Sequence, residues 1–302
     1  MFRGHRTSYL RAPASEDGKL PVVFVHGFGG CAEQWRCALA GDALSGANAY
    51  ALDTDAYALD LLGFGESSKP VEDYSIDLWA DQLLDFIRDV VPGKHAVVVG
   101  NSIGSLVCLS AARKDAEAVG GVALYNCAVG MNSKALPLDF AEFLYWPFPV
   151  IATPIFALLD LLLASPLARP FFDKVRQKAT VRNVLENVVY EDPSRVDDDL
   201  VRMITAPSDD AGALKVFAAV FRGPPGARPE RVVPEIDKKV PIAVFWGDAD
   251  AITPIQGPVG KYFARLPEER ANTTFLVLPS VGHCPFDVSR GRLRNSGKLG
   301  RQ

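Results

Sequence analysis

Histidine is scarce in this 302-residue chain: His5, His26, His95 and His283 are the whole set, and none stands in H-x-x-x-H or H-E-x-x-H spacing. A zinc site built on a helical histidine pair is therefore not expected. The five cysteines (Cys31, Cys37, Cys108, Cys127 and Cys284) are odd in number and include no CxxC pair, so they read as reduced thiols rather than a disulfide framework or a metal centre. Basic charge is not in excess. With 32 Lys and Arg against 36 Asp and Glu, and a formal charge of -4, the chain lacks the electrostatic footprint that nucleic acid requires. There is no GK[ST] loop for nucleotide phosphates, and GFGG at Gly27 to Gly30 does not continue as G-x-G-x-x-G. Nucleotide phosphoryl transfer and a dinucleotide site both lose their support. Residues 1 to 20 carry scattered charges and no apolar core of the kind a secretory signal needs.

What the chain does have is apolar substance, 48% of its residues, punctuated by 25 glycines and 22 prolines that fall between apolar segments. That supports a full core and excludes a disordered chain. Pro21 to Gly30 reads as a buried strand entering a glycine turn, followed by a short helical pattern over residues 31 to 41. The pentapeptide AYALD occurs twice, at Ala49 to Asp53 and at Ala56 to Asp60. Only one copy can hold a given strand register, and the second is expected to be the strand because it runs directly into DLLGFG. Ser75 to Val91 has helical apolar spacing with Ser75 or Asp73 as cap. His95 to Gly100 reads as a strand, Ser102 to Lys114 as a helix and Val119 to Asn126 as a strand. This alternation predicts a mostly parallel sheet with helices on both faces.

The alternation stops at Gly130 and resumes at Val240 to Trp246, then a helix near Gln256 to Leu266 and a strand at Thr274 to Pro279. Prolines at 137, 147, 149, 154, 166 and 170 break the intervening stretch into short helices. The expected division is a core of residues 1–129 and 239–302 and an inserted helical lid at 130–238. Within it, Phe143 to Leu163 bears one formal charge, Asp160. Its three prolines argue against a membrane span, which leaves lid helices burying apolar faces, or a lid whose outer face touches a membrane or lipid substrate.

The sharpest local signal is Gly100-Asn101-Ser102-Ile103-Gly104, a G-x-S-x-G between a strand and a helix. Such a bend exposes the Ser102 hydroxyl at a helix start whose N–H groups favour developing negative charge. A serine needs a base, and His283 is the one histidine placed in the loop after the last strand. The acid that orients it should lie between the two in sequence; Asp250 is the first candidate, and Asp248 in the same Gly247-Asp248-Ala249-Asp250 loop is the alternative. The turn at His26 to Gly30 and the start of the helix can supply an oxyanion hole from the backbone N–H groups of Phe28 and Ile103. This set points to acyl transfer to water, with no cofactor and no metal.

HGFGG, DLLGFGESSKP, YSIDLWADQLLDFI, GNSIGS, FWGDADAITP and VGHCPFD together resemble the plant and algal α/β hydrolases that include pheophytinase and chlorophyll dephytylases. The likeness extends over most of residues 2 to 287 and includes EDPSRVDDDLV in the lid. It implies an α/β-hydrolase fold and a serine carboxylic-ester hydrolase, with Ser102, Asp250 and His283 at the family's motif positions. It further implies a hydrophobic ester substrate, the phytyl ester of pheophytin or a related chlorophyll derivative. A phytylated tetrapyrrole partner and a chloroplast setting follow from the same likeness; a general lipase or esterase, a cytoplasmic setting, and a non-catalytic ligand-binding protein of this fold are the alternatives. The chain departs from the family pattern at Ser105, at the repeated AYALD and in the polar, basic stretch after Asp287, where relatives have a helix.

Overall fold

Strands form where the apolar runs place β-branched side chains at the centre of a sheet. The computed structural model describes residues 1–14, 19–39, 54–132, 134 and 148–287, with backbone alone at 148–153. Seven strands make one sheet: β1 (Tyr9–Ala12), β2 (Val22–Val25), β3 (Ala56–Leu59), β4 (Ala96–Asn101), β5 (Val119–Tyr125), β6 (Ile242–Gly247) and β7 (Thr273–Leu278). Their order is β1-β3-β2-β4-β5-β6-β7, and every pairing is parallel except that of β1 with β3. The expected mostly parallel sheet is thus present. The second AYALD copy is β3, with all four side chains buried; the first copy lies outside the described residues. Strand β1 has no counterpart in the apolar pattern, because as an antiparallel edge it leaves Tyr9, Leu10 and Arg11 exposed.

Helix α1 (Ile76–Val90) is capped by Ser75, whose hydroxyl accepts from the Leu78 N–H at 3.1 Å. It packs with α2 (Ile103–Lys114) on one sheet face, where Trp79, Leu83, Ile87, Leu106 and Leu109 are fully buried. The buried indole of Trp79 keeps its hydrogen bond by donating to the Leu62 carbonyl at 3.0 Å. The opposite face carries an aromatic stack in which Trp35 lies between Phe24 and Phe286, at centroid distances of 4.8 and 4.0 Å. Of the pattern expected over 31 to 41, the described part forms a 3-10 turn at Ala32–Trp35 and one helical turn at Arg36–Leu39, and residues 40 and 41 lie outside the described residues.

Between β5 and β6 the chain leaves the sheet and forms an inserted helical layer. Its main elements are α3 (Phe148–Ala164), α4 (Ala168–Val175), α5 (Lys178–Val184), α6 (Asp198–Thr205) and α7 (Ala213–Arg222), with a π-helical turn at Leu185–Val189. Helix α8 (Pro258–Glu269) then joins β6 to β7. Strand order reverses at β2 and β4, so the connections leaving their C-terminal ends go opposite ways and open a crevice there. The insertion covers that end of the sheet.

Candidate active site

Strand β4 delivers Ser102 into a sharp bend with φ 56° and ψ −121°, a conformation disfavoured for a residue with a side chain. Two glycines make the bend feasible. A Cβ on Gly100 would lie 2.4 Å from the Gly104 backbone, and one on Gly104 would lie 2.3 Å from the Val25 carbonyl oxygen. Ser102 occupies the cap position of α2 but makes no cap hydrogen bond with its side chain, so its hydroxyl is not committed to the helix. Ser105, the departure from the family pattern, is satisfied in the core by donating to the Gly100 carbonyl at 2.9 Å.

The loop after β7 carries His283, which is buried, and its N–H donates to the Val189 carbonyl of the π-helical turn at 2.9 Å. Its Nδ1 lies 2.7 Å from Oδ2 of Asp250. That carboxylate is also buried and accepts from Asn126 Nδ2 at 2.6 Å, Thr253 Oγ1 at 2.6 Å, Ile252 N at 2.7 Å and Thr253 N at 3.1 Å. Burial by itself would raise the Asp250 carboxyl; the His283 bond and charge and the Thr253 donors outweigh it and hold the carboxyl down to about 2. An ionised carboxylate only accepts, so His283 must carry its proton on Nδ1 and leave Nε2 as a base. Asp248 has a different neighbour: it is exposed and its Oδ1 accepts from the Ser280 N–H at 2.7 Å.

His26 is buried beside the glycine turn without meeting the acid. Its Nε2 accepts from the Leu61 N–H at 3.1 Å and its Nδ1 donates to the Gly27 carbonyl at 2.7 Å, which ties the turn after β2 to the turn after β3. Burial pushes its pKa down, so the ring is neutral in this structural role.

Phe28, Ser102 and His283 line one cavity of about 450 Å³, whose other walls include Phe172, Val181 and Phe217 from the insertion. No hydrogen bond joins the Ser102 hydroxyl to His283 among the described residues. Ile103 is the first residue of α2, so its N–H has no intrahelical partner, and the Phe28 ring meets Phe64 and Phe221 at 5.6 and 5.3 Å. Among the described residues, no group of three or more His, Cys, Asp or Glu side chains is placed to hold a metal ion.

Sequence reasoning missed two asparagines. Asn126, just past β5, bridges Asp250 and the Gly247 N–H, which its Oδ1 accepts at 3.1 Å. Asn101 donates to the His283 carbonyl at 2.9 Å. The signal was available: each is a lone amide at the C-terminal end of a buried parallel strand, where ligand crevices form.

A profile described as the alpha/beta hydrolase family matches residues 22–293. The chain belongs to that family. Among curated relatives, this hydrolase is 26% identical over 238 residues to the chloroplastic pheophytinase of Arabidopsis thaliana, covering 74% of this chain and 45% of that protein. It therefore spans less than half of the plant enzyme's length. It is also 26% identical over 269 residues to the uncharacterized hydrolase YugF of Bacillus subtilis (strain 168), covering 88% of this chain and 84% of that one. Equal identity to a plant and a bacterial protein supports the superfamily rather than the narrower plant and algal group. Among solved structures, the serine hydrolase CarC of carbazole degradation superposes with a TM-score of 0.67 at 18% identity, covering 97% of this chain and 93% of that one. A membrane phospholipase A superposes with a TM-score of 0.66 at 20% identity, covering 98% and 82%. At such identities these likenesses show the fold.

Proposed function

We propose that this alpha/beta hydrolase is a serine carboxylic-ester hydrolase of broad esterase type, acting on esters with an apolar part. The observation that carries the reading is the 2.7 Å contact of Asp250 with His283, which lines the same cavity as the strained Ser102. In the first step the Ser102 Oγ attacks the ester carbonyl while His283 Nε2 takes its proton. The Phe28 and Ile103 amides hold the oxyanion. Collapse of the tetrahedral intermediate expels the alcohol, which leaves with the proton from His283. Water then attacks the acyl-serine, giving a proton to His283; the acid departs and the Ser102 hydroxyl is restored. Asp250 keeps its charge throughout and steadies the imidazolium. The insertion over residues 130–238 acts as the lid of this site and supplies most of its apolar wall.

A second reading narrows the substrate to the phytyl ester of pheophytin in a plastid. It is supported by the family motifs in this sequence and by the 26% identity to chloroplastic pheophytinase. Each methylene buried in an apolar cavity contributes about 0.8 kcal/mol, which would favour a long prenyl alcohol. Hydrolysis of a short nitrophenyl ester beside pheophytin a, with a fluorophosphonate label as a third arm, separates the possibilities. Ser102-dependent labelling and cleavage of the short ester are the expected outcome; release of phytol would add the narrower substrate. Failure of Ser102 to react with the label would leave a non-catalytic binding protein.

A further inference from the structure

The outer side of α3 is apolar and uncovered. Ile155, Leu158 and Leu161 are 58%, 67% and 67% exposed, and Leu167, just past the helix, is 61% exposed. Among the helix's described side chains, the exposed ones, Pro154, Ile155, Ala157, Leu158, Leu161 and Ala164, occupy one half of its circumference at 100° per residue, and none is polar. The other half faces the protein, where Leu163 is buried and Asp160 is held by Lys134 at 2.8 Å. Soluble proteins seldom leave large side chains contiguous and exposed in this way.

Cations follow the patch in the chain. From Ala168 to Val184 the chain has Arg169, Lys174, Arg176, Lys178 and Arg182 against the single acid Asp173, in a molecule whose overall charge is -4. Arg176 and Arg182 are tied to Asp209 and Asp198, and Arg169 shares Asp173 with Arg176. Lys174 and Lys178 are exposed and have no ion pair among the described residues. Across α4 from Lys174, Phe172 and Val175 line the cavity that holds Ser102. Helices α3 and α4 meet at a bend of 104°, and no single helix among the described residues is long and apolar enough to cross a bilayer.

We propose that this face docks the protein on an anionic lipid surface. The apolar half of α3 enters the headgroup and acyl boundary, while Lys174, Lys178 and Arg169 meet the negative headgroups. Charge complementarity selects a bilayer over another protein: a bare leucine stripe fits either, but a stripe followed in the chain by exposed lysines without an ion pair among the described residues, on a net-negative molecule, fits an anionic interface. Docking would set the cavity roof, α4 and α5, against the phase in which apolar esters dissolve.

The test is vesicle co-sedimentation of the full chain with phosphatidylcholine, alone and mixed with phosphatidylglycerol. The parent and its Ser102→Ala variant should pellet alike with the mixed vesicles, because docking needs no turnover; this separates the proposal from the hydrolase reading. The double variant Leu158→Glu/Leu161→Glu should lose roughly 10-fold or more in binding, and Lys174→Gln/Lys178→Gln several-fold, an effect that fades at about 1 M salt. Both should keep the parent's melting temperature and its hydrolysis of a short soluble ester. Absence of vesicle binding by the parent, or equal binding by the leucine double variant, overturns the proposal. So does a concentration-dependent dimer that the leucine variant dissociates while neither form binds vesicles, since a second copy would then be the occupant.

Discussion

The Oδ2 atom of Asp250 is shared among three side chains, His283 Nδ1 at 2.7 Å, Asn126 Nδ2 at 2.6 Å and Thr253 Oγ1 at 2.6 Å. The imidazole is thereby fixed to β5 as well as to the loop after β6, because Asn126 immediately follows β5 and also holds the Gly247 N–H. A carboxylate with this many donors can keep its charge in a buried place while a proton moves through the ring it orients.

Replacing Ser102 tests both its chemistry and its strain. Ser102→Gly should abolish ester hydrolysis, a loss of about 10⁴-fold or more in kcat. The same variant should be more stable than the parent by about 1 kcal/mol, since glycine accepts the positive φ at residue 102 without a steric cost. Thermal melting and nitrophenyl ester turnover measure the two effects, and retained turnover would remove Ser102 from the nucleophile's role.

The two neighbouring carboxylates should separate sharply. Asp250→Asn is expected to lower kcat by about 10⁴-fold, because the amide no longer enforces the Nδ1 proton on His283. Asp248→Asn should stay within several-fold of the parent, its contact being the Ser280 backbone. The reverse order of rates would transfer the acid's role to Asp248.

Asn126→Ala removes a donor from the carboxylate without touching the cavity wall. We expect kcat to fall roughly 10- to 100-fold with KM little changed, as for outer partners that orient a working group. A change in KM alone would count against the positioning role. Asn126→Asp, which places like charge beside Asp250, should be worse than the alanine variant.

Asp250 also predicts an acid dependence of stability. Its folded carboxyl lies at about 2, below the ordinary value of 3.8, so its contribution is present above about pH 4 and is lost as the pH falls towards 2. The stability gap between the parent and Asp250→Asn, read from urea midpoints, should therefore narrow over that window. Burial raises the carboxyl of Asp287 instead, despite Arg36 and Arg195. Its contribution is present below the ordinary value and lost as the pH rises through the elevated one, so Asp287→Asn should gain on the parent with rising pH. Parallel trends for the two variants would contradict these opposite environments.

Much of this molecule is local, and local information is legible in a sequence. Apolar runs ending in glycine marked β2 and β4, helical spacing and the Ser75 cap marked α1, and Gly100 with Gly104 marked the bend at Ser102, since each depends on steric and hydrogen-bonding rules acting over a few residues. Of the prolines expected to break the insertion, Pro166 separates α3 from α4 while Pro154 and Pro170 are carried inside those helices, and the position of AYALD next to DLLGFG selected the right copy for β3. What could not be read was any relation that requires the sheet to close first. The sequence ranked Asp250 ahead of Asp248 as the partner of His283, 33 positions away, but the decision between them depends on how one turn after β6 faces the loop after β7. The bond from Asn126 to Asp250 spans 124 positions, and that from Asn101 to the His283 carbonyl spans 182. Strand β1 and the uncovered half of α3 belong to the same class, because which side of an element meets solvent is set by its neighbours in space. The sequence by itself determined the strands β2 to β7, the bend and the residue types available for acyl chemistry. The tertiary structure alone decided which carboxylate meets the histidine and which apolar side chains remain in water, because parallel strand pairing is what brings these distant residues into contact.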